Sequence, residues 1–254
     1  MHEFCGAFMQ YPLSDWDLVR ATPLFAAISE ANFRALRDAA MVNRFPKNTM
    51  LGKEGDRPRV LHILVEGAVE LFAGHNGQSA TIEVEEPVTA IHLPSIISNA
   101  IAIKSVRTVS SARTLSIPAD VLREAFRRDA GFSRAVAEEL ADSYRDIMRL
   151  LMNEKLRTSV ERLAAWIVQS CTARGNKGRV ELKFNKRILA SRLGMAPENL
   201  SRNLAYLVRY GVHNSGRDIK IDDLQRLEEF AKPSILIDGA NHHGQPQADA
   251  PERA

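Results

Sequence analysis

The residues best placed to do chemistry stand together between Pro197 and Leu204, in the run PENLSRNL. Glu198, Ser201 and Arg202 are spaced i, i+3 and i+4, which puts them on one face of a helix. Leu200, Leu204 and Leu207 fall on the opposite face. A carboxylate accepts from the cytosine amino group, and an arginine fork grips O6 and N7 of guanine. A serine hydroxyl serves either a base or a phosphate. The three residues are therefore a candidate base-reading set. Taken alone, they also fit an acidic residue favoured at a helix N-terminus with its i+4 salt-bridge partner.

The surrounding elements favour base reading. Lys186 to Leu193 reads as a short helix closed by Gly194, and Met195-Ala196 makes a tight connection. Pro197 suits the first position of the next helix, where a missing N–H leaves no bond unmade. That helix runs to about Arg209 and ends at Tyr210-Gly211. VHNSGRDIKID follows as two short strands about Asn214-Ser215-Gly216. Upstream, Val160, Leu163, Ala164 and Ile167 form one apolar stripe, and the turn Asn176-Lys177-Gly178 leads into the alternating VELKF. Two helices joined by a short turn and followed by a hairpin make a winged helix-turn-helix. Arg179, Lys186, Arg187, Asn214, Arg217 and Lys220 are candidates for the phosphate contacts that set register and affinity.

Charge supports the same module. The 254 residues carry a formal charge of only +3, yet 156–224 holds 13 basic and 6 acidic groups, a local +7. Such asymmetry within a near-neutral chain is a nucleic-acid cue. The 45% apolar and 26% charged composition is that of a globular protein. Two cysteines, Cys5 and Cys171, exclude a disulfide scaffold and an all-cysteine iron–sulfur cluster, which needs four thiolates. The stretch from Val88 to Ile103 falls short of the roughly 20 apolar residues that span a membrane. The N-terminus lacks the basic and apolar regions of a secretory signal, so a cytoplasmic protein is expected. No G-x-S-x-G, H-E-x-x-H, G-x-G-x-x-G or phosphate-cradling glycine loop points to an enzyme.

The N-terminal half must hold what controls this module. From Thr49 to Ile117 short β-branched runs alternate with GD, EG and GHNG turns, predicting an antiparallel roll or barrel. After Pro118 come a short helix over 119–128, broken at Gly131, and a long one from about Phe132 to Lys155. Ala137, Leu140, Tyr144, Ile147 and Leu151 step by 3 and 4 along that helix, the pattern of a dimerising seam. The domain reading is arm and roll over 1–118, connector and seam helix over 119–155, winged module over 156–230, and a disordered tail over 231–254. The tail carries His242 and His243, read as solvated.

The GD turn followed by VEGAVELF, the seam helix and LASRLGMAPENLSRNLAYL together resemble the CRP/FNR superfamily of bacterial transcription regulators, over about residues 20–230. The resemblance implies an α+β chain: a cyclic-nucleotide-binding-like β-roll, a dimerisation helix and a C-terminal winged helix-turn-helix. Glu198, Ser201 and Arg202 match the E-x-x-S-R pattern of its FNR-like branch, whose members read palindromes with half-sites resembling TTGA. It further implies a homodimer on double-stranded DNA, with RNA polymerase as a protein partner. The sensor departs from the family pattern. Leu93-Pro94 stands where cyclic-nucleotide binders carry Gly-Glu, and Lys104-Ser105 stands where they carry Arg-Ser. Leucine blocks the backbone approach that glycine allows, proline supplies no carboxylate, and lysine lacks the arginine fork. Cyclic AMP is therefore not the expected effector. His92, Lys104 and Ser105 mark the candidate effector pocket, which would suit a small apolar effector, a haem or no ligand. Haem would take His62, His75, His92 or Cys5 as an axial ligand. The competing reading is a ligand-binding signalling or scaffold protein that does not bind DNA.

Overall fold

The computed structural model describes residues 14–173, 175 and 178–239. Helices α1 (Asp15–Arg20), α2 (Pro23–Ala26) and α3 (Glu30–Ala39) open the chain. Ser14 forms a capping box with Asp17, and the Ser29 hydroxyl accepts from the Asn32 N–H, so two of the three starts are written in the sequence. A β-roll follows: β1 (Met41–Phe45), β2 (Met50–Gly52), β3 (Val60–Glu66), β4 (Val69–His75), β5 (Gln78–Glu85), β6 (Thr89–Ile91), α4 (Leu93–Ile97), β7 (Ser105–Thr108) and β8 (Ala112–Pro118).

The strands form two four-stranded antiparallel sheets, ordered β1-β8-β3-β6 and β2-β7-β4-β5. Leu64, Val69, Leu71, Ile91, Val106 and Ala112 make the core that the sheets share. A second core packs the first sheet against helices, through Phe25, Leu36, Ile63, Leu115, Ile117 and Phe132. Strand β3 thus contributes to both cores, which explains why Leu61, Ile63, Leu64 and Val65 are all buried and scarcely alternate.

Helix α5 (Ala119–Arg128) leads to the 27-residue α6 (Ala130–Leu156). The break between them falls at Asp129, and Gly131 lies inside α6 instead of ending a helix. A Cβ at Gly131 would sit 2.3 Å from the Ala27 carbonyl oxygen, so glycine there allows α6 to lie close against the end of α2. Asp129 is buried, and its carboxylate accepts from the backbone N–H of Phe132 at 3.0 Å and of Ser29 at 2.8 Å, and from Asn32 Nδ2 at 2.9 Å. One side chain therefore caps α6 and ties it to α3.

The C-terminal module contains α7 (Ser159–Thr172), β9 (Arg179–Glu181), α8 (Lys186–Arg192) and α9 (Pro197–Leu207), then a 3₁₀ turn over Val208–Tyr210. It closes with β10 (Val212–Ser215), β11 (Asp218–Ile221), α10 (Leu224–Ala231) and α11 (Ile235–Asp238). Its core is built from Leu163, Ile167, Leu189, Leu200, Ile219 and Leu227. Ala68, Val84 and Val109 of the roll join that cluster, so the two modules are packed together. Helix α11 lies in the segment expected to be disordered from 231. Cys5, Asn176, Lys177, His242 and His243 lie outside the described residues. Among the described residues no helix is long and apolar enough to cross a membrane.

Hydrogen bonds to Ser29, Asn32 and Phe132 hold the Asp129 carboxyl far below the usual carboxylate range. A depressed carboxylate stabilises the fold above its unfolded-state pKa of about 3.9, and the contribution is lost as pH falls through the lower folded-state value. Asp129→Ala should therefore cost about 2 kcal/mol in urea unfolding at neutral pH. That difference should persist to about pH 4 and shrink only in stronger acid.

Candidate nucleic-acid interface and sensor cassette

Helix α7 begins with a capping box. The Thr158 hydroxyl accepts from the Glu161 N–H, and the Glu161 carboxylate accepts from the Thr158 N–H at 2.8 Å. From this helix Arg162 reaches the α8–α9 turn, donating to the Leu193 carbonyl at 2.9 Å and the Gly194 carbonyl at 3.2 Å. Gly194 has φ +62°, the left-handed region in which the turn favours glycine. Asn185 caps α8 by accepting from the Ile188 N–H at 2.9 Å. Asn203 Nδ2 donates to Ser159 Oγ at 3.1 Å, pinning α9 to the start of α7.

Leu200, Leu204 and Leu207 are 1%, 5% and 0% exposed, and they seat α9 on the module core. Glu198, Ser201 and Arg202 are all exposed on its other side. Among the described residues no ion pair joins Glu198 to Arg202, so the local salt bridge that would have explained both is not formed. Ser201 Oγ donates to the Pro197 carbonyl at 3.2 Å, which leaves the oxygen free to accept. One exposed helical face thus presents an acceptor, a hydroxyl and an unengaged guanidinium.

The backbone candidates fall in different surroundings. Arg179 and Lys220 face each other across the β9–β11 pair of a sheet ordered β10-β11-β9. Arg179 is held by Asp218 at 2.7 Å, whereas Asn214 and Lys220 are exposed on the wing. Lys186 is half-buried at the start of α8. Arg187 and Arg217 open onto a cleft of about 300 Å³ between the module and the roll, together with Lys47 and Arg107. Placing two of the six backbone-contact candidates in an inter-module cleft was beyond sequence reading, because it depends on how the modules dock. Docking is made by Ser191 Oγ of α8, which accepts from the Thr81 N–H of β5 at 2.7 Å, and by the Lys183–Glu86 ion pair at 2.5 Å.

The seam residues divide along α6. Leu140 is half-buried against the roll core, so the start of the stripe is partly used within the chain. Tyr144, Ile147 and Leu151 are 65%, 60% and 44% exposed, and Ala137 is also exposed.

The sensor cassette is packed, not open. Leu93 and Ile96 of α4 are 2% and 0% exposed and belong to the roll–helix core. Ser105 Oγ is occupied by the Glu54 N–H at 3.0 Å, and Lys104 Nζ lies 3.9 Å from Glu83. His92 stands at the N-cap position of α4 with φ +62° but makes no side-chain capping bond, its Nε2 buried without a hydrogen-bond partner and pressed against Gly52. His62 Nδ1 meets Ser116 Oγ at 2.9 Å, its ring edge-on to Phe45. His75 is exposed. Ser105 and Lys104 are therefore engaged with other groups, and His92, though unpartnered at Nε2, is packed against Gly52.

Two family models match the chain: a cyclic nucleotide-binding domain over residues 42–129 and a Crp-like helix-turn-helix domain over residues 161–230. The chain joins a cyclic nucleotide-binding domain to a Crp-like helix-turn-helix domain. Solved structures share the fold. FixK2 from Bradyrhizobium japonicum is 19% identical at TM-score 0.67, covering 75% of this chain and 96% of its own. A CooA mutant from Carboxydothermus hydrogenoformans is 18% identical at TM-score 0.64, covering 76% and 88%. A CRP-family transcriptional regulator from Thermus thermophilus is 19% identical at TM-score 0.61, covering 78% and 100%. No curated protein matches the chain in sequence.

For a cyclic nucleotide-binding domain the cassette is unusual in what it lacks. Its helix buries apolar side chains where a cyclic nucleotide would need a ribose-binding carboxylate, and its serine hydroxyl is already bonded. The residues present do not fit a cyclic nucleotide. They offer haem no enclosed axial histidine either: His92 is packed on backbone, His62 is bonded to Ser116, and His75 is exposed.

Burial, then the Lys104 and His62 charges, lowers His92 from 6.5 to about 4. Burial also lowers His62. A histidine depressed in the folded state is protonated first in the unfolded chain, so unfolding takes up protons in the window between the two values. Stability should therefore rise with pH from about 4 to 6.5 and level off above. Urea unfolding at stepped pH measures this. His92→Asn, which tolerates the left-handed backbone, should flatten the slope, and an unchanged slope would place the effect elsewhere.

Proposed function

We propose that this chain is a homodimeric, sequence-specific DNA-binding transcription regulator that reads a palindrome with α9. The observation that carries the reading is the exposed face of Glu198, Ser201 and Arg202, with no ion pair between Glu198 and Arg202, on a helix whose opposite face is buried. In a helix-turn-helix the N-terminal turns of the second helix meet base edges in the major groove, and these residues lie in the first two turns of α9. Arg202 then pairs with guanine, Glu198 accepts from cytosine, and Ser201 takes a base or phosphate. Lys186, Asn214 and Lys220 supply backbone contacts, whereas Arg179 is paired with Asp218 and Arg187 and Arg217 line the cleft against the roll. The exposed stripe of Tyr144, Ile147 and Leu151 on α6 pairs with the same stripe of a second copy, setting two α9 helices against half-sites about 34–36 Å apart. RNA polymerase is the protein partner and the cytoplasm the compartment that this role requires.

Binding to a TTGA-containing palindrome, followed by fluorescence anisotropy, tests the assignment. Arg202→Ala should reduce discrimination against a substituted guanine by about 1–3 kcal/mol while leaving affinity for unrelated duplex nearly intact. An equal loss on every sequence would remove Arg202 from base reading. Lys220→Ala should instead weaken all sequences alike and lower the salt slope by about 1. Absence of any salt-dependent duplex binding by the wild-type chain would favour a ligand-binding scaffold instead.

Ile147→Asp with Leu151→Asp places two carboxylates in the seam. Light scattering should then report a monomer that keeps its circular dichroism spectrum and has lost most of its palindrome affinity. A dimer that survives the change would locate the interface elsewhere.

A further inference from the structure

The chain does not stop where the helix-turn-helix match ends at residue 230. Beyond α10 the backbone turns back and lays α11 against α6. Two of the three apolar side chains of α11, Ile235 and Leu236, are 85% and 70% exposed, so apolar burial does not hold this segment down. Four residues are also far too few for a helix to stand alone.

What seats it is Asp238. Its carboxylate takes a two-pronged bond from Arg157, with Nη1 to Oδ1 at 2.6 Å and Nη2 to Oδ2 at 2.5 Å. It also accepts from Gln169 Nε2 of α7 at 3.0 Å and from the Ser234 N–H at 2.7 Å. The Arg157 and Asp238 side chains are 8% and 9% exposed. Arg157 is the C-cap of α6, in extended backbone, at the point where the seam helix hands over to the winged module. Its guanidinium also donates to Asn153 Oδ1 at 3.1 Å and to the Lys232 carbonyl at 3.3 Å. A single ion pair therefore joins α6, α7 and the C-terminal segment at the junction. A planar fork on a carboxylate tolerates little rotation, and a nearly buried pair is poorly replaced by water.

We propose that Arg157 and Asp238 form a latch that fixes the angle between α6 and the winged module, and so act as positioning residues for the two α9 helices of a dimer. The DNA half of this inference rests on the proposed function; the latch itself does not. Turning the module about the junction would carry Gln169 and the end of α10 away from α6 and strain their bonds to Asp238 and Arg157. The far side of the module is held by the bond from the Thr81 N–H to Ser191 Oγ. Strand β5 is at the edge of its sheet, so this N–H is bonded to the module, not to another strand. It is a built-in reporter of module docking.

Amide hydrogen exchange in the full-length protein, resolved at Thr81 by NMR, reads the latch directly. Asp238→Asn and Arg157→Ala should each speed exchange at Thr81 about tenfold, and the double variant should be no faster than either single change. Exchange at Leu115, in the central strand β8, should stay at its wild-type rate. Gln169→Met removes one donor only, so it should give a smaller shift of the same sign without threatening the fold. Unchanged Thr81 exchange in all variants would overturn the latch. Acceleration of Thr81 and Leu115 together would also overturn it, reducing the pair to a stability element. On DNA, palindromes with spacers altered by one base pair should differ about tenfold in wild-type affinity, and Asp238→Asn should compress that range below about threefold at unchanged half-site affinity. Retained spacer discrimination would overturn the positioning role. If the wild-type chain binds no palindrome, the regulator reading fails while the Thr81 result still decides the latch.

Discussion

Helix α6 has to satisfy two surroundings at once, and the rest of the structure is arranged around that constraint. Its first turns are interior: Phe132, Ala135 and Val136 are almost wholly buried among residues of α2, α5 and the first sheet. At roughly 25 cal/mol per Å² of apolar surface, that burial makes the helix part of the roll. Farther along, Tyr144, Ile147, Leu150 and Leu151 face solvent. Its last residues carry the junction to the winged module. A rod of 27 residues, about 40 Å long, therefore links the roll core, an exposed apolar stripe and the winged module. Asp129 fixes where it starts, and Arg157 fixes how it ends.

The roll at the other end of this rod is filled with its own side chains. The cassette helix α4 contributes Leu93 and Ile96 to a core, and Ser105 is spent on the Glu54 backbone. The buried Glu70 carboxylate is likewise spent: it accepts from Thr81 Oγ1 and from Arg107, whose guanidinium lies over the Phe72 ring. These groups are adjacent to β5, where the winged module docks. The roll is thus continuous with the module through packed side chains, with Ala68, Val84 and Val109 inside the module's own apolar cluster.

Local chemistry made much of this legible. Capping residues at Ser29, Thr158-Glu161 and Asn185, Pro197 at a helix start, and the leucine stripe of α9 each act over three or four residues, so their outcome is written in adjacent sequence. The exposed Glu198, Ser201 and Arg202 face followed from helical periodicity alone. Gly131 shows where such reading breaks down. Glycine usually ends a helix, but here the demand comes from the Ala27 carbonyl, about a hundred residues away, which leaves no room for a side chain. Leu140 is similar: its spacing places it in the seam, while the roll core draws it partly inside. Nor does any local signal distinguish Asp238 from the acidic residues of a polar tail. Its meaning depends on Arg157, far upstream.

By itself the sequence determined the kind of molecule: a β-roll, a long helix and a basic winged module, because hydrophobic period, turn residues and charge are properties of neighbours along the chain. Only the tertiary structure decided how those parts are joined. It closed the cassette with Leu93 and Ile96, turned Arg187 and Arg217 toward the roll, and brought Asp238 to Arg157. Each of these depends on distant residues competing for the same space or the same hydrogen bond, and that competition is settled only when the chain is packed.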